Sequence, residues 1–363
     1  MWNISLYHDA VALLRQLIAT PSFSREEAQT ASMIAEFLEA HGVVVHRHLN
    51  NVWAVNRYFD ASKPGILLNS HHDTVKPNPA YTRDPFDPAI EEGRLYGLGS
   101  NDAGGCLVAL IASFLHFYNR PDLPYNLILT ATAEEEISGF NGIESILPQL
   151  PGFAFAIVGE PTLTQMAVAE KGLLVLDCTS YGKAGHAARQ EGENAIYKAL
   201  PDIEWFRTFQ FPKVSPMLGQ VNMNVTMIQA GQQHNVVPAC CHFTVDIRVT
   251  DAYTHEEILE VISQHVQCEV KPRSLRMRSS SISLDHPIVR AAQRMGKQLY
   301  GSPTTSDQAL IPGPSVKIGP GDSARSHSAD EFIYLDEIKE GIETYIRLLE
   351  EVFQEEKKAC RDS

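Results

Sequence analysis

His71 and Asp73 sit at the end of the apolar run Ile66-Leu67-Leu68. That run shows no helical stripe and reads as a buried strand whose C-terminal end delivers an imidazole and a carboxylate two residues apart. Two more strand-like runs end in the same way. Leu127–Thr132 runs into Glu134-Glu135-Glu136, and Phe155–Val158 runs into Gly159-Glu160-Pro161-Thr162. Asp102 closes a glycine-rich approach to a helix, and His327 lies in a stretch poor in helix signals. The candidate ligands are therefore His71, Asp102, Glu135 or Glu136, Glu160 and His327. One such residue alone is more often structural, but six at strand ends and loops point to a shared task. Three consecutive glutamates after an apolar strand repel one another, and a cation would relieve that repulsion. Nitrogen and oxygen donors without a thiolate suit Zn²⁺, Mn²⁺ or Co²⁺.

There are more carboxylates than one tetrahedral ion requires, which suggests two divalent ions sharing a bridging carboxylate. A glutamate left over beside them can serve as general base. No Gly-x-Ser-x-Gly elbow supports a serine hydrolase. The glycine-rich stretch Leu95–Gly105 lacks the Lys-Ser/Thr ending of a phosphate loop and the spacing of a dinucleotide fingerprint.

In an open α/β sheet, chemistry collects outside the carboxyl ends of the strands. The pattern around these strands predicts helices over Tyr7 to Ile18, Cys106 to Tyr118 and about Gly142 to Leu147. Ser24-Arg25-Glu26-Glu27 has the form of a capping box opening a helix that ends near Gly42. Val43 to Val45 and Val52 to Val55 read as short strands, and Asn78 to Pro88 as loop. After Leu163 the order becomes strand (Leu173 to Thr179), helix (Asn194 to Phe206), strand (Val221 to Ile228), strand (His242 to Arg248), helix (Thr254 to His265) and strand (Gln267 to Lys271). Gly182–Arg189 is read as a turn and Asn235–Pro238 as a break. A helix from Pro287 to Tyr300, a last helix from Leu335 to Phe353 and a frayed tail from Gln354 to Ser363 follow. The expected fold class is α/β, with a mixed-sheet α/β/α catalytic domain formed by residues 1–164 and 275–363. An α+β (βαββαβ) lid or dimerisation domain, residues 165–274, is inserted in it.

The chain has 363 residues, enough for two domains. A net charge of −14 and a pI near 5.4 argue against nucleic acid or an anionic membrane surface as partner. No apolar run reaches the length of a membrane span, and no signal peptide precedes Leu13, so a cytoplasmic location is expected. The six cysteines (Cys106, Cys178, Cys240, Cys241, Cys268, Cys360) show no CxxC pairing and read as free thiols.

Five stretches, in order, resemble the motifs of the M20 family of co-catalytic metallopeptidases and deacylases. They are Ser70-His71-His72-Asp73, Ser100–Gly105, Thr132–Glu136, Gly159-Glu160-Pro161-Thr162 and Ser326–Glu331. Within the family the chain is most similar to the acetylornithine deacetylase branch, which removes the acyl group from N-acyl-ornithine or N-acyl-citrulline in arginine biosynthesis. The resemblance implies that His71 and Glu160 bind one ion, Glu136 and His327 the other, and that Asp102 bridges. It implies that Asp73 fixes the tautomer of His71 and that Glu135 is the general base. His186 matches a histidine that reaches a partner subunit's site and polarises the scissile carbonyl. Asn235 and Arg248 match positions that hold the substrate's α-carboxylate. The resemblance further implies two zinc ions, with Co²⁺ or Mn²⁺ as alternatives, a homodimer formed through the inserted domain, a small N-acyl amino acid as substrate, and a cis peptide after Asp102.

The residues leave other readings open. Asn235 suits a turn, and Arg248 has Asp246 as an available partner. Lys171 and Arg189 are candidates for a succinyl carboxylate. Ser70, Glu134 and Ala103-Gly104-Gly105 depart from the family's usual residues without removing a ligand. Succinyl-diaminopimelate desuccinylase, a dipeptidase or an aminoacylase would share the same metal site. A non-catalytic dimeric ligand-binding member would keep the fold alone.

Overall fold

Gly65–His71 is buried at all of its positions, as are Asn126–Thr132 and Phe155–Val158. Strands covered on both faces carry continuous apolar runs rather than alternation, and this is the pattern these three segments share. In the computed structural model, which describes residues 2–189 and 191–362, they form the centre of one sheet. Asn126–Thr132 and Gly65–His71 run parallel, with Thr132 opposite His71. Phe155–Val158 runs parallel on the other side of Gly65–His71, and Ser315–Lys317 continues the parallel set. Asn51–Val55 and Val45–His48 extend the sheet antiparallel, so it is mixed. Because the three central strands are in register and point the same way, His71, Glu134–Glu136 and Glu160 leave the sheet at one edge.

The chain divides into two compact units. Met1–Val168, Ser281–Tyr300 and Ser306–Ser363 form the first, and Ala169–Ser280 with Gly301–Thr305 the second. In the first, helices Ser5–Ile18, Gly105–Tyr118 and Leu335–Asp362 pack together beside the sheet. Gly105–Tyr118 is buried almost throughout, as a helix apolar on every side must be.

The second unit is an antiparallel sheet in the order Asn222–Ala230, Cys240–Val249, Gly172–Tyr181, Glu269–Pro272. Helices Ala195–Thr208 and His255–Ser263 join these strands in βαββαβ order. Gly172–Tyr181 alternates buried and more accessible positions, and its inward residues Leu174, Leu176 and Cys178 meet Phe206, Phe243 and Ile258 in one core. Thr254 and Glu257 complete a reciprocal capping box at the start of His255–Ser263. The fold is thus a mixed α/β unit carrying an inserted α+β unit.

Several local expectations change. Ser24–Glu27 is not a capping box, because the helix starts at Ala28 without a side-chain cap and the Ser24 hydroxyl donates to Asp73 instead, at 2.7 Å. The first edge strand begins at Val45 rather than Val43. Helix Pro287–Arg294 stops short of Tyr300 because Gly296 takes a left-handed conformation, φ 75°, and Leu299–Ser302 is strand. Asn235–Pro238 is not simply a break, since Val236–Val237 pairs with Gly185–His186 as a small ribbon.

The tail does not fray at Gln354. The last helix continues to Asp362, held by Arg290 to Glu355, by Tyr125 Oη donating to Glu356 at 3.0 Å and by Lys357 to Asp122 at 2.8 Å. Ser363 and the Cys360 side chain lie outside the described residues. The other five cysteines are free thiols. Among the described residues no helix is long and apolar enough to cross a membrane.

Leu67 is fully buried in one cluster with Ile128, Ile143, Ile146, Ala156 and Val158. Leu67→Ala is expected to lower the unfolding free energy by about 2–5 kcal/mol. A shift of the urea midpoint at unchanged slope would report it; a midpoint within error of the parent would contradict this packing.

Candidate metal centre

The centre is assembled at the sheet edge of the first unit. His71, at the last position of its strand, is 1% exposed. Its Nδ1 lies 3.0 Å from the main-chain oxygen of Asp73 and 3.5 Å from the Asp73 carboxylate. Donation from Nδ1 leaves Nε2 as the atom presented to the centre. Around Nε2 stand Asp102 Oδ1 at 3.3 Å, Glu135 Oε2 at 3.7 Å and Glu160 Oε1 at 3.8 Å. His327 Nε2 approaches from the loop after Ser326, 3.0 Å from Glu136 Oε2 and 3.5 Å from Asp102 Oδ2. Asp102 therefore presents one oxygen toward each histidine. The peptide bond that follows it is cis.

Asp73 does more than face His71. Its carboxylate accepts the backbone N–H groups of Glu135 at 3.0 Å and Glu136 at 3.1 Å, together with the Ser24 hydroxyl. It thereby caps the single turn Glu135–Ile137, and one carboxylate sets the position of both glutamates. Glu134 is turned away from them. Its backbone is left-handed, φ 55°, and its carboxylate accepts from the Asn141 side chain at 2.9 Å. The repulsion expected of three consecutive glutamates thus falls on two.

The electrostatics of the centre call for positive charge. Burial, then repulsion from Asp102, pushes the Glu160 carboxyl up to about 8. Burial raises Glu135 well above the ordinary range and raises Glu136. The bond to Glu136 carries the His327 imidazole up to about 9. Burial would raise Asp102 too, but the bond and charge of His71, with Ser326 and His327, together outweigh it and hold this carboxyl below its ordinary value. Two overlapping groups bring their donor atoms within 4.8 Å of one another: His71, Asp102, Glu136, and His71, Glu135, Glu160. Imidazole nitrogens and carboxylate oxygens with unbalanced buried charge fit a pair of divalent cations.

The remaining expected site residues lie in the second unit. His186 is exposed, and its Nδ1 accepts the Ala188 N–H at 3.2 Å. Asn235 is exposed, and its main-chain oxygen accepts the Ala187 N–H at 3.1 Å. The Gly185–His186 and Val236–Val237 ribbon holds these two near each other. Arg248 is half-buried and forms a two-point pair with Asp246 at 2.8 and 3.1 Å. Lys171 Nζ is directed at the Asn222 side chain and at the Gln220 oxygen, 3.0 Å away. Arg189 closes a short turn after the ribbon.

Sequence reading missed three supports. Asp307, buried and pushed up to about 6 by burial, accepts from Asn69 at 2.9 Å and Thr132 at 2.7 Å, so it joins the ends of the two strands that lead to His71 and the glutamates. Glu27 accepts the Glu134 N–H at 3.2 Å and the Asn50 amide at 2.7 Å. Ser24 braces Asp73. All three act on residues distant in sequence, and no local spacing signals such contacts.

Comparison with known proteins gives the family. The family model of peptidase family M20/M25/M40 matches residues 67–351. Acetylornithine deacetylase of Proteus mirabilis (strain HI4320) is 30% identical over 365 residues, covering 89% of this chain and 91% of that protein. Among solved structures, the M20 family metallo-carboxypeptidase Sso-CP2 from Sulfolobus solfataricus superposes with a TM-score of 0.75 at 18% identity, covering 94% of this chain and 99% of that one. The Bacillus subtilis YXEP protein, a dinuclear metal binding peptidase from the M20 family, gives 0.72 at 17% identity, covering 97% and 99%. The chain belongs to peptidase family M20/M25/M40, and it carries the donor set of a dinuclear metallohydrolase.

A cation must displace protons here, because Glu160 near 8 and His327 near 9 are largely protonated at pH 7. Zn²⁺ binding at pH 7 is therefore expected to release protons, and affinity should strengthen as pH rises from 6 toward 8. Calorimetry in buffers of different ionisation enthalpy measures the release. Heats independent of buffer would contradict it.

Proposed function

We propose that the protein is a metal-dependent amidohydrolase that removes an acetyl or succinyl group from the α-nitrogen of ornithine or citrulline, in arginine biosynthesis in the cytoplasm. The observation that carries this reading is the 30% identity to an acetylornithine deacetylase across nearly the whole chain, supported by the gathered imidazoles and carboxylates at the sheet edge.

In this reading His71 and Glu160 would hold one divalent ion and Glu136 and His327 the other, with Asp102, which presents an oxygen to each histidine, as their shared ligand. Zinc is the expected metal, with Co²⁺ or Mn²⁺ as alternatives. When bound, the ions supply Lewis acidity toward the acyl carbonyl and make water acidic enough to attack near neutral pH. Glu135 takes the proton from the attacking water and returns it to the departing amine. Its burial suits the task, since burial raises the proton affinity of the carboxylate and makes it a stronger base.

Asp73 acts on the reaction through others. It orients His71 and caps the turn of Glu135 and Glu136. In His186, Nδ1 accepts a main-chain N–H, which places the imidazole proton on Nε2. That proton is available to the developing oxyanion, and we assign its action to the active site of the partner subunit in a homodimer formed through the inserted unit. Arg248 and Asn235 are assigned to the substrate's α-carboxylate; the Asp246 pair holds the Arg248 guanidinium in a fixed plane for that contact.

Hydrolysis of N-acetyl- and N-succinyl-ornithine, the citrulline analogues and succinyl-diaminopimelate by Zn²⁺-loaded protein tests the substrate. Release from one ornithine or citrulline derivative is expected. Turnover of the diaminopimelate compound or of dipeptides alone would remove the substrate assignment and leave the metal chemistry standing. Glu135→Gln is expected to lower kcat about 10²- to 10⁴-fold while both ions are retained. Undiminished kcat would remove Glu135 from its role. If the acyl group is succinyl, Lys171→Ala is expected to weaken the succinyl substrate alone, and equal loss on acetyl and succinyl substrates would dismiss Lys171 as its reader.

A further inference from the structure

Asp102 and His327 come from loops far apart in sequence, and two side chains tie those loops together in opposite directions. Glu331 lies four residues beyond His327 and is 2% exposed. Its carboxylate reaches back to the Asp102 loop, accepting the N–H groups of Asn101 and Asp102, both at 2.9 Å, and of Gly99 at 3.1 Å. Asn101, fully buried beside Asp102, reaches the other way. Its Oδ1 accepts the Asp322 N–H at 3.0 Å. Its Nδ2 donates to the Asp322 oxygen at 3.0 Å and toward the Ser326 hydroxyl at 3.4 Å.

His327 itself stands on a left-handed backbone, φ 58°, which a non-glycine residue keeps only when its surroundings hold it there. Its own side chain is more than half exposed and so draws little rigidity from packing. The other ligands need no such aid. His71 and Glu160 stand at the ends of buried strands, and Glu136 is fixed by Asp73.

We propose that Glu331 and Asn101 form a reciprocal clamp that presets His327 against Asp102 and so determines the affinity for the second of the two ions. Neither residue is a ligand; both are positioning residues. The clamp rests on the metal part of the proposed function and not on its substrate. Glu331→Gln keeps the shape but loses an acceptor. An amide has one oxygen, which retains at most the bonds of Asn101 and Asp102, while its NH₂ group is left facing the Gly99 N–H. Asn101→Ala removes the tie in the other direction.

The test is calorimetric titration of the metal-stripped full chain with Zn²⁺, followed by the visible spectrum of Co²⁺ added in successive equivalents. The parent protein is expected to take up two equivalents. In Glu331→Gln and Asn101→Ala the first should bind within about threefold of the parent and the second about 10- to 100-fold more weakly. The Co²⁺ spectrum should change from the parent's only at the second equivalent. Equal weakening of both ions would mark a merely structural role and overturn the clamp, as would two unchanged ions in both variants. If Glu331→Gln proves insoluble, Asn101→Ala alone decides. Uptake of fewer than two ions by the parent would overturn the two-ion reading and the clamp together. Two ions bound without acyl hydrolysis would overturn the substrate reading only.

Discussion

The constraint on which this molecule turns is the cost of gathering carboxylates where water is scarce. Asp102, Glu135, Glu136 and Glu160 converge on a small volume at one sheet edge, together with one buried and one exposed imidazole. Burial first, and like charges after it, raise proton affinity, and the raised values at Glu135, Glu136 and Glu160 express that cost. A divalent cation reverses its sign. The surrounding architecture keeps the acids from moving apart: three parallel strands in register, a buried helix behind Asp102, and a carboxylate that caps the turn bearing two of the four.

Asp73 shows how few residues enforce this. It receives N–H groups from Glu135 and Glu136 and a hydroxyl from Ser24, and it lies against His71. One side chain thus couples the second strand-end to the first. Asp307 repeats the arrangement one layer deeper, joining Asn69 to Thr132. Such supports make the positions of the ligands interdependent, and substitutions among them should combine non-additively.

Much of this was legible in the chain. The apolar runs before His71, Glu134 and Glu160 read as buried strands because both faces are covered. The period-two strands of the inserted unit read as antiparallel because one face is more accessible. The helix read from Thr254 to His265 is present as His255–Ser263. The sequence misled where a local pattern was claimed by a distant partner. Ser24 has the spacing of a cap, yet its hydroxyl serves Asp73, 49 residues away. Asn235–Pro238 has turn composition, yet Val236 and Val237 pair with the His186 segment. The last helix looked ready to unravel beyond Phe353, and side chains from Arg290, Tyr125 and Asp122 prevent it. Asp307 and Glu331 were missed as supports because their partners are more than 170 and 220 residues away.

The same long spans bear on how the centre comes into being. Glu136 and His327 touch across 191 residues, and the inserted unit occupies much of that interval. During synthesis, every acidic ligand has emerged before His327 is made. The entropic cost of closing so large a loop grows only slowly with its length. The acids therefore await their last imidazole until the inserted unit has been made, and the centre can mature only after that unit has emerged.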